Sequence, residues 1–175
     1  MFQPVLLDAP KRRKWEYNPK EFKVVALREC PTPEEMQLCD TPDKVAAYWR
    51  THLETDERFN PEVESFAILL LNTRRRVKGH QLLSIGTLDT VLVHPREVFR
   101  AAIIFGGVSA LVLAHSHPSG DSTPSDADIK VTRDLIRAGQ LLKIEVLDHL
   151  VIGARRTDSL AGQFVSLRQM GYFAV

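Results

Sequence analysis

An apolar stretch over residues 109–114 runs straight into His115-Ser116-His117-Pro118, and a polar loop then leads to Ser125-Asp126-Ala127-Asp128 at the head of an amphipathic segment. No other part of the chain limits its folding so tightly. Two histidines separated by one residue share a side only in extended or suitably looped backbone; on a helix they would lie about 200° apart. A strand over 109–114 therefore delivers both imidazoles toward one point. The 118–124 loop is long enough to bring Asp128 back beneath them. Two imidazoles and a carboxylate form the protein shell of an open zinc site, which keeps a fourth position for water or substrate. A plainer reading competes: Ser125 and Asp128 resemble a capping box, with Asp in place of the usual Glu or Gln, and on that view only satisfy helix amides. The two readings are compatible if Asp128 sits in the first helical turn and directs its carboxylate to the metal.

The flanking pattern predicts the elements that carry this run. Thr41 caps a helix, Pro42 suits its first turn, and Val45, Tyr48, Trp49, His52 and Leu53 make its buried stripe, with His52 as a packed or half-exposed helix residue. Residues 64–71 read as a mostly buried strand, 72–76 as a polar turn, and 77–85 as a second strand. Pro95 opens a second helix that buries Val98, Ala101, Ala102 and Phe105 and stops at Gly106-Gly107. A third helix over 125–139 closes at Gly139. Strands follow over 144–152 and, at an edge, over 164–167. The expected product is a mixed sheet with helices packed against it.

With 175 residues, 44 % of them hydrophobic, the chain suits one substantial core. The first 40 residues, rich in proline, read as an extended arm with at most a short strand over 22–27. The 23 basic and 22 acidic residues of the whole chain nearly cancel, so no overall field advertises nucleic acid or an anionic membrane. The cluster Arg74, Arg75, Arg76 and Lys78 lacks interleaved aromatics and reads as a solvated turn. Cys30 and Cys39 match neither a redox pair nor a zinc ribbon and are expected to be reduced and structurally minor. The N-terminal basic cluster follows its apolar patch, the reverse of a signal peptide, and no apolar run reaches the roughly 20 residues of a membrane span. A cytoplasmic protein is expected.

These residues carry a family resemblance. His115-x-His117-Pro118 with Ser125 and Asp128 resembles the JAMM motif of MPN-domain zinc peptidases. The wider text is similar to the RadC family: Gly86-Thr87-Leu88, Val93-His94-Pro95-Arg96-Glu97, His117-Pro118-Ser119-Gly120-Asp121, Pro124-Ser125, Asp128-Ile129 and Asp148-His149. The resemblance covers about residues 41–167. It implies an α/β fold, the MPN (JAB/JAMM) cytidine-deaminase-like α/β/α sandwich with a mixed central sheet, occupying 41–168 between the arm (1–40) and a short tail (169–175). It also implies a glutamate on the first core strand. Glu62 and Glu64 lie two apart at that strand's start and share a face if the strand already runs there; the family's Glu-x-Phe spacing selects Glu64, before Phe66.

The resemblance implies one zinc ion per chain, held by His115, His117 and Asp128, with Glu64 and Ser125 as catalytic groups in amide hydrolysis. Glu64 would take a proton from water activated near neutral pH and pass it to the leaving amine. Ser125 would donate a hydrogen bond to the developing oxyanion. The expected substrate is a peptide or isopeptide bond in a protein or peptide, with no membrane partner. RadC-like proteins also bear a DNA-repair label, which makes a nucleic-acid-binding repair factor the second class. Residues 1–40 show no trace of the paired short helices and Gly-rich hairpin of longer members, so the chain reads as a short form, and the DNA reading weakens. A non-catalytic MPN scaffold is a third class, disfavoured because every ligand position is filled. A zinc deaminase would need HxE and PCxxC signatures, which the chain lacks. Asp148-His149 reads as a hydrogen-bonded core or supporting pair, His94 and His80 as turn and surface residues, and Asp121 as a loop residue.

Overall fold

A computed structural model of the chain describes residues 37–85, 93–153 and 163–174. The strand expected over 22–27, Cys30 and Gly86-Thr87-Leu88 lie outside the described residues.

Thr41 accepts from Lys44 N at 3.4 Å and caps α1 (Pro42–Tyr48), with Pro42 in the first turn. A π-helical turn, Trp49–Leu53, continues it. Val45, Tyr48, Trp49 and Leu53 are buried and His52 is half-buried, as the stripe predicts. Next come β1 (Ser65–Leu71), β2 (Val77–Ile85), α2 (Pro95–Phe105), β3 (Ala110–Ser116), α3 (Asp126–Leu142), β4 (Glu145–Ile152) and β5 (Phe164–Ser166). The strands form one sheet in the order β2-β1-β3-β4-β5; β3 and β4 pair parallel and every other neighbouring pair is antiparallel. The mixed α/β fold expected from the sequence is the fold observed.

Alternation along the central strands sorts the core into two layers. Ala67, Leu69, Leu71, Ala110, Val112 and Ala114 pack with α1 and the π-helical turn on one face. Phe66, Ile68, Leu70, Leu111 and Leu113 pack with α2 and α3 on the other. Residues preceding α1 join the first layer: Leu38 bridges Arg76, and Cys39 is buried as a free thiol. Among the described residues no helix is long and apolar enough to cross a membrane.

Two local expectations are corrected, and β4 adds an irregularity of its own. Helix α2 buries Val98, Phe99 and Ala102, while Phe105 stays exposed beneath the Lys78 ammonium, 5.4 Å from the ring centroid. The stripe has turned toward Phe99, which fills the space against α3. Gly139 does not end α3; it is buried inside the helix, and Lys143, in the left-handed conformation, caps it. The glycine is needed because a Cβ there would stand 2.5 Å from Ile144 O and 3.2 Å from Phe99. In β4 the alternation itself breaks. Leu111 pairs with Val146 but Val112 with Asp148, so Leu147 is an extra residue. A bulge of this kind re-aims the side chains that follow it.

Candidate metal centre

The antiparallel pairing of β1 with β3 places Ser65 opposite Ser116 and Phe66 opposite His115. The entrance to β1 and the exit from β3 thus coincide. Glu64 immediately precedes β1, His115 is the penultimate residue of β3, and His117 lies one residue past the strand. His117 still donates its N–H to Ile152 O at 2.9 Å, which keeps the backbone extended enough for both imidazoles to face alike. His115 is 1 % exposed and points toward the α2/α3 layer, where Phe66 stacks on it with ring centroids 6.1 Å apart and planes 10° apart.

The three expected ligands converge. His115 Nε2 and His117 Nε2 are 3.0 Å apart; Asp128 Oδ1 lies 3.3 Å from the first and Oδ2 3.6 Å from the second. Donors bound at the usual zinc distances in a tetrahedron stand about 3.3 Å from one another. Nitrogen and carboxylate donors at this spacing therefore fit a small divalent ion, and these residues form a His-His-Asp group able to hold one. Glu64 Oε1 is 3.9 Å from His117 Nε2. Glu62 is exposed in a turn, its N–H bonded to Asn60 Oδ1, because the strand does not extend back to it.

Asp128 is also the N3 member of a capping box opened by Ser125. Its N–H donates to Ser125 Oγ at 3.2 Å, while its Oδ2 accepts from Ser125 N at 2.8 Å and from Ser125 Oγ at 2.6 Å. The capping reading of Ser125 and Asp128 is thus borne out, and the same turn of α3 leaves Asp128 Oδ1 facing His115 Nε2.

Electrostatics follow from this crowding. Burial works against the Asp128 carboxylate, yet bonds to His115, His117 and Ser125 hold it far below the ordinary range. The bond to Asp128 raises His117 in return. Burial, reinforced by neighbouring His115, pushes His149 well below the usual imidazole value.

The outer nitrogens of both histidines are engaged. His117 Nδ1 contacts Asp121 O at 2.7 Å; a carbonyl only accepts, so Nδ1 carries the proton and Nε2 is left as a donor to metal. His115 Nδ1 meets His149 Nε2 at 2.8 Å, and His149 Nδ1 meets Thr132 Oγ1 at 2.6 Å. His149 is thus the supporting residue expected from Asp148-His149. Its neighbour faces elsewhere: Asp148 accepts from His149 N, Ser166 Oγ and Arg168 N. Asp121 contributes its backbone carbonyl, while its carboxylate ties Thr123. The 117–124 loop rests on the end of β4, where Arg50 donates to Gly153 O at 2.8 Å and a Cβ on Gly153 would meet Gly120 O at 2.5 Å.

The chain matches the RadC-like JAB domain over residues 39–171. It belongs to the RadC family. It is similar to UPF0758 proteins of Caldanaerobacter subterraneus (44 % identical, covering 63 % of this chain and 44 % of the relative), Thermosynechococcus vestitus (39 %, covering 79 % and 50 %) and Moorella thermoacetica (50 %, covering 60 % and 45 %). This RadC-family chain thus spans about half the length of these relatives, or less.

Several residues of the RadC-family site escape a sequence reading. Phe66 enters only as a spacing marker, and its period-two alignment with the strand is the one signal that it faces the ligands. Thr132 lies one helical turn after Asp128, on the same face, a position the periodicity offers without assigning a role. His94 caps α2, accepting from Arg96 N at 3.2 Å, as a turn residue should. His80 is no plain surface residue: half-buried, its Nδ1 contacts Tyr48 Oη at 2.7 Å. Arg75 of the basic turn pairs with Glu145.

Proposed function

We propose that this RadC-family chain is a zinc-dependent hydrolase of peptide or isopeptide bonds, acting on a protein or peptide. The observation that supports it most is the convergence of His115, His117 and Asp128 donor atoms with the Glu64 carboxylate 3.9 Å from His117. His115 and His117 through Nε2, and Asp128 through its carboxylate, would hold the ion. When bound, zinc supplies Lewis acidity, bringing water ionisation toward about pH 7 and polarising a carbonyl.

The remaining chemistry belongs to the chain. Glu64, at the mouth of the site and half-buried, accepts the proton of the attacking water at a carboxylate oxygen and returns it to the departing nitrogen. Ser125 Oγ donates to Asp128 in the resting arrangement. Turning that one hydroxyl directs the same proton to a developing oxyanion, while Oγ continues to accept from Asp128 N. The Asp121 carbonyl and the 117–124 loop hold His117 in orientation throughout.

The test is a purified chain measured for zinc and then offered a panel of fluorogenic peptides and lysine-isopeptide conjugates. Cleavage that disappears in Glu64→Gln, with zinc retained, supports the proposal. A chain that binds zinc stoichiometrically but cleaves no member of either panel points instead to a metal-stabilised scaffold.

A further inference from the structure

The hydrogen-bonded chain behind His115 assigns every proton in it. Thr132 Oγ1 lies 2.6 Å from Asp128 O, and a carbonyl cannot donate, so the single hydroxyl proton of Thr132 points there. Thr132 Oγ1 must then accept from its other neighbour, His149 Nδ1, at 2.6 Å. That places a proton on His149 Nδ1 and, in the neutral ring, a lone pair on Nε2. Facing that lone pair at 2.8 Å, His115 Nδ1 carries a proton in turn. His115 Nε2 is the nitrogen turned to Asp128 Oδ1 and His117 Nε2, and in the neutral ring it keeps its lone pair for a metal.

We infer that His149 and Thr132 are positioning residues that dictate which nitrogen of His115 carries its proton, and so keep Nε2 open as a metal donor. The inference rests on the zinc reading above for the ion, but the proton arrangement belongs to the protein alone. The path closes on itself. It starts at one ligand, His115, crosses β4 and α3, and ends on the backbone of another ligand, Asp128, whose carboxylate returns to His115. His149 is 1 % exposed and Thr132 fully buried, so water does not compete for these bonds. Phe66 confines the imidazoles from the side, its ring centroid 5.5 Å from that of His149 and 6.1 Å from that of His115. The bulge at Leu147 brings His149 to this face.

The experiment uses histidine-15N-labelled full chain, metal-free and then titrated with zinc alone against a chromophoric competitor. Long-range proton–nitrogen spectra are expected to show His115 and His149 each protonated at Nδ1 before any metal is added. Thr132→Val removes the hydroxyl at nearly constant volume and should scramble both tautomers, weakening zinc about ten- to hundredfold. Thr132→Ser should restore both readouts. Should Thr132→Val not fold, His149→Leu, which extends the apolar run of β4, is expected to lose the His115 Nδ1 proton signal and weaken zinc in the same range. A His115 protonated at Nε2 in the unsubstituted chain overturns the inference. So does a folded Thr132→Val or His149→Leu with unchanged tautomer and zinc affinity. An unsubstituted chain that shows these tautomers and loses them in Thr132→Val, yet binds no zinc, supports the proton arrangement while sinking the metalloenzyme proposal.

Discussion

Ser125 and Asp128 bond each other three times over: Asp128 Oδ2 closes the capping box while also facing His117 Nε2 at 3.6 Å, and Oδ1, outside the box, stands 3.3 Å from His115 Nε2. Cap and ligand roles can therefore be separated. Asp128→Asn retains an acceptor for the Ser125 amide and should leave stability within about 1 kcal/mol, yet lose zinc, since the carboxylate charge is gone. Asp128→Ala should lose both. Ser125→Ala should cost about 1 kcal/mol of stability with zinc stoichiometry intact. Denaturant titration and metal analysis on the three variants decide the matter; zinc undiminished in Asp128→Ala leaves capping as its sole role.

Glu64→Gln keeps the shape of the side chain and removes its basicity. Turnover should fall about 10²- to 10⁴-fold or more, with zinc affinity near that of the unsubstituted chain. Activity equal to that of the parent on a confirmed substrate excludes Glu64 as the base.

Much of this architecture can be read from the chain before any coordinate is seen, because a strand feeding His115-x-His117 and a helix opening at Ser125 are written in adjacent residues. What resists reading is long-range. Val146, Asp148 and Leu150 alternate as one face of an ideal strand, and only the pairing partner reveals that Leu147 is surplus and His149 faces the ligands. Glu62 and Glu64 are equivalent in spacing, and the separation between them comes from where β1 begins. Gly139 carries the ordinary signature of a helix end; the true reason for it, Ile144 O and Phe99 standing where a Cβ would go, lies in the turn that follows α3 and on α2.

That crowding reverses a familiar substitution. Alanine in place of glycine inside a helix normally stabilises by up to about 1 kcal/mol. At Gly139 the new methyl would stand 2.5 Å from Ile144 O, so Gly139→Ala should instead destabilise by about 1–3 kcal/mol. A raised denaturation midpoint would show that the turn after α3 yields more easily than its packing indicates.

Cys39 should be inert while the chain is folded. Burial pushes its thiol from 9.0 to about 12, and the S–H points to Lys44 O at 3.8 Å. In a Cys30→Ser background, alkylation at about pH 8 should be slow in buffer and fast in denaturant. Because the folded value lies above the unfolded one, the contribution is whole below pH 9.0 and declines as pH rises toward about 12. The stability difference between the parent and Cys39→Val should drift against the parent across that window.

The opposed directions of β1 and β3 turn strand pairing into a ruler for the candidate site. Glu64 and His115 are far apart along the chain, and the distance between the carboxylate and the imidazole is set by which residue of one strand faces which residue of the other. The connection between β1 and β2 can lengthen at its far end without disturbing that alignment. One residue added or removed between Glu64 and Phe66 would slide Glu64 by about 3.3 Å and turn it to the α1 side of the sheet. Tolerance to insertion should therefore change abruptly along this chain, being generous at the 72–76 turn and absent over the few residues where the two strands meet.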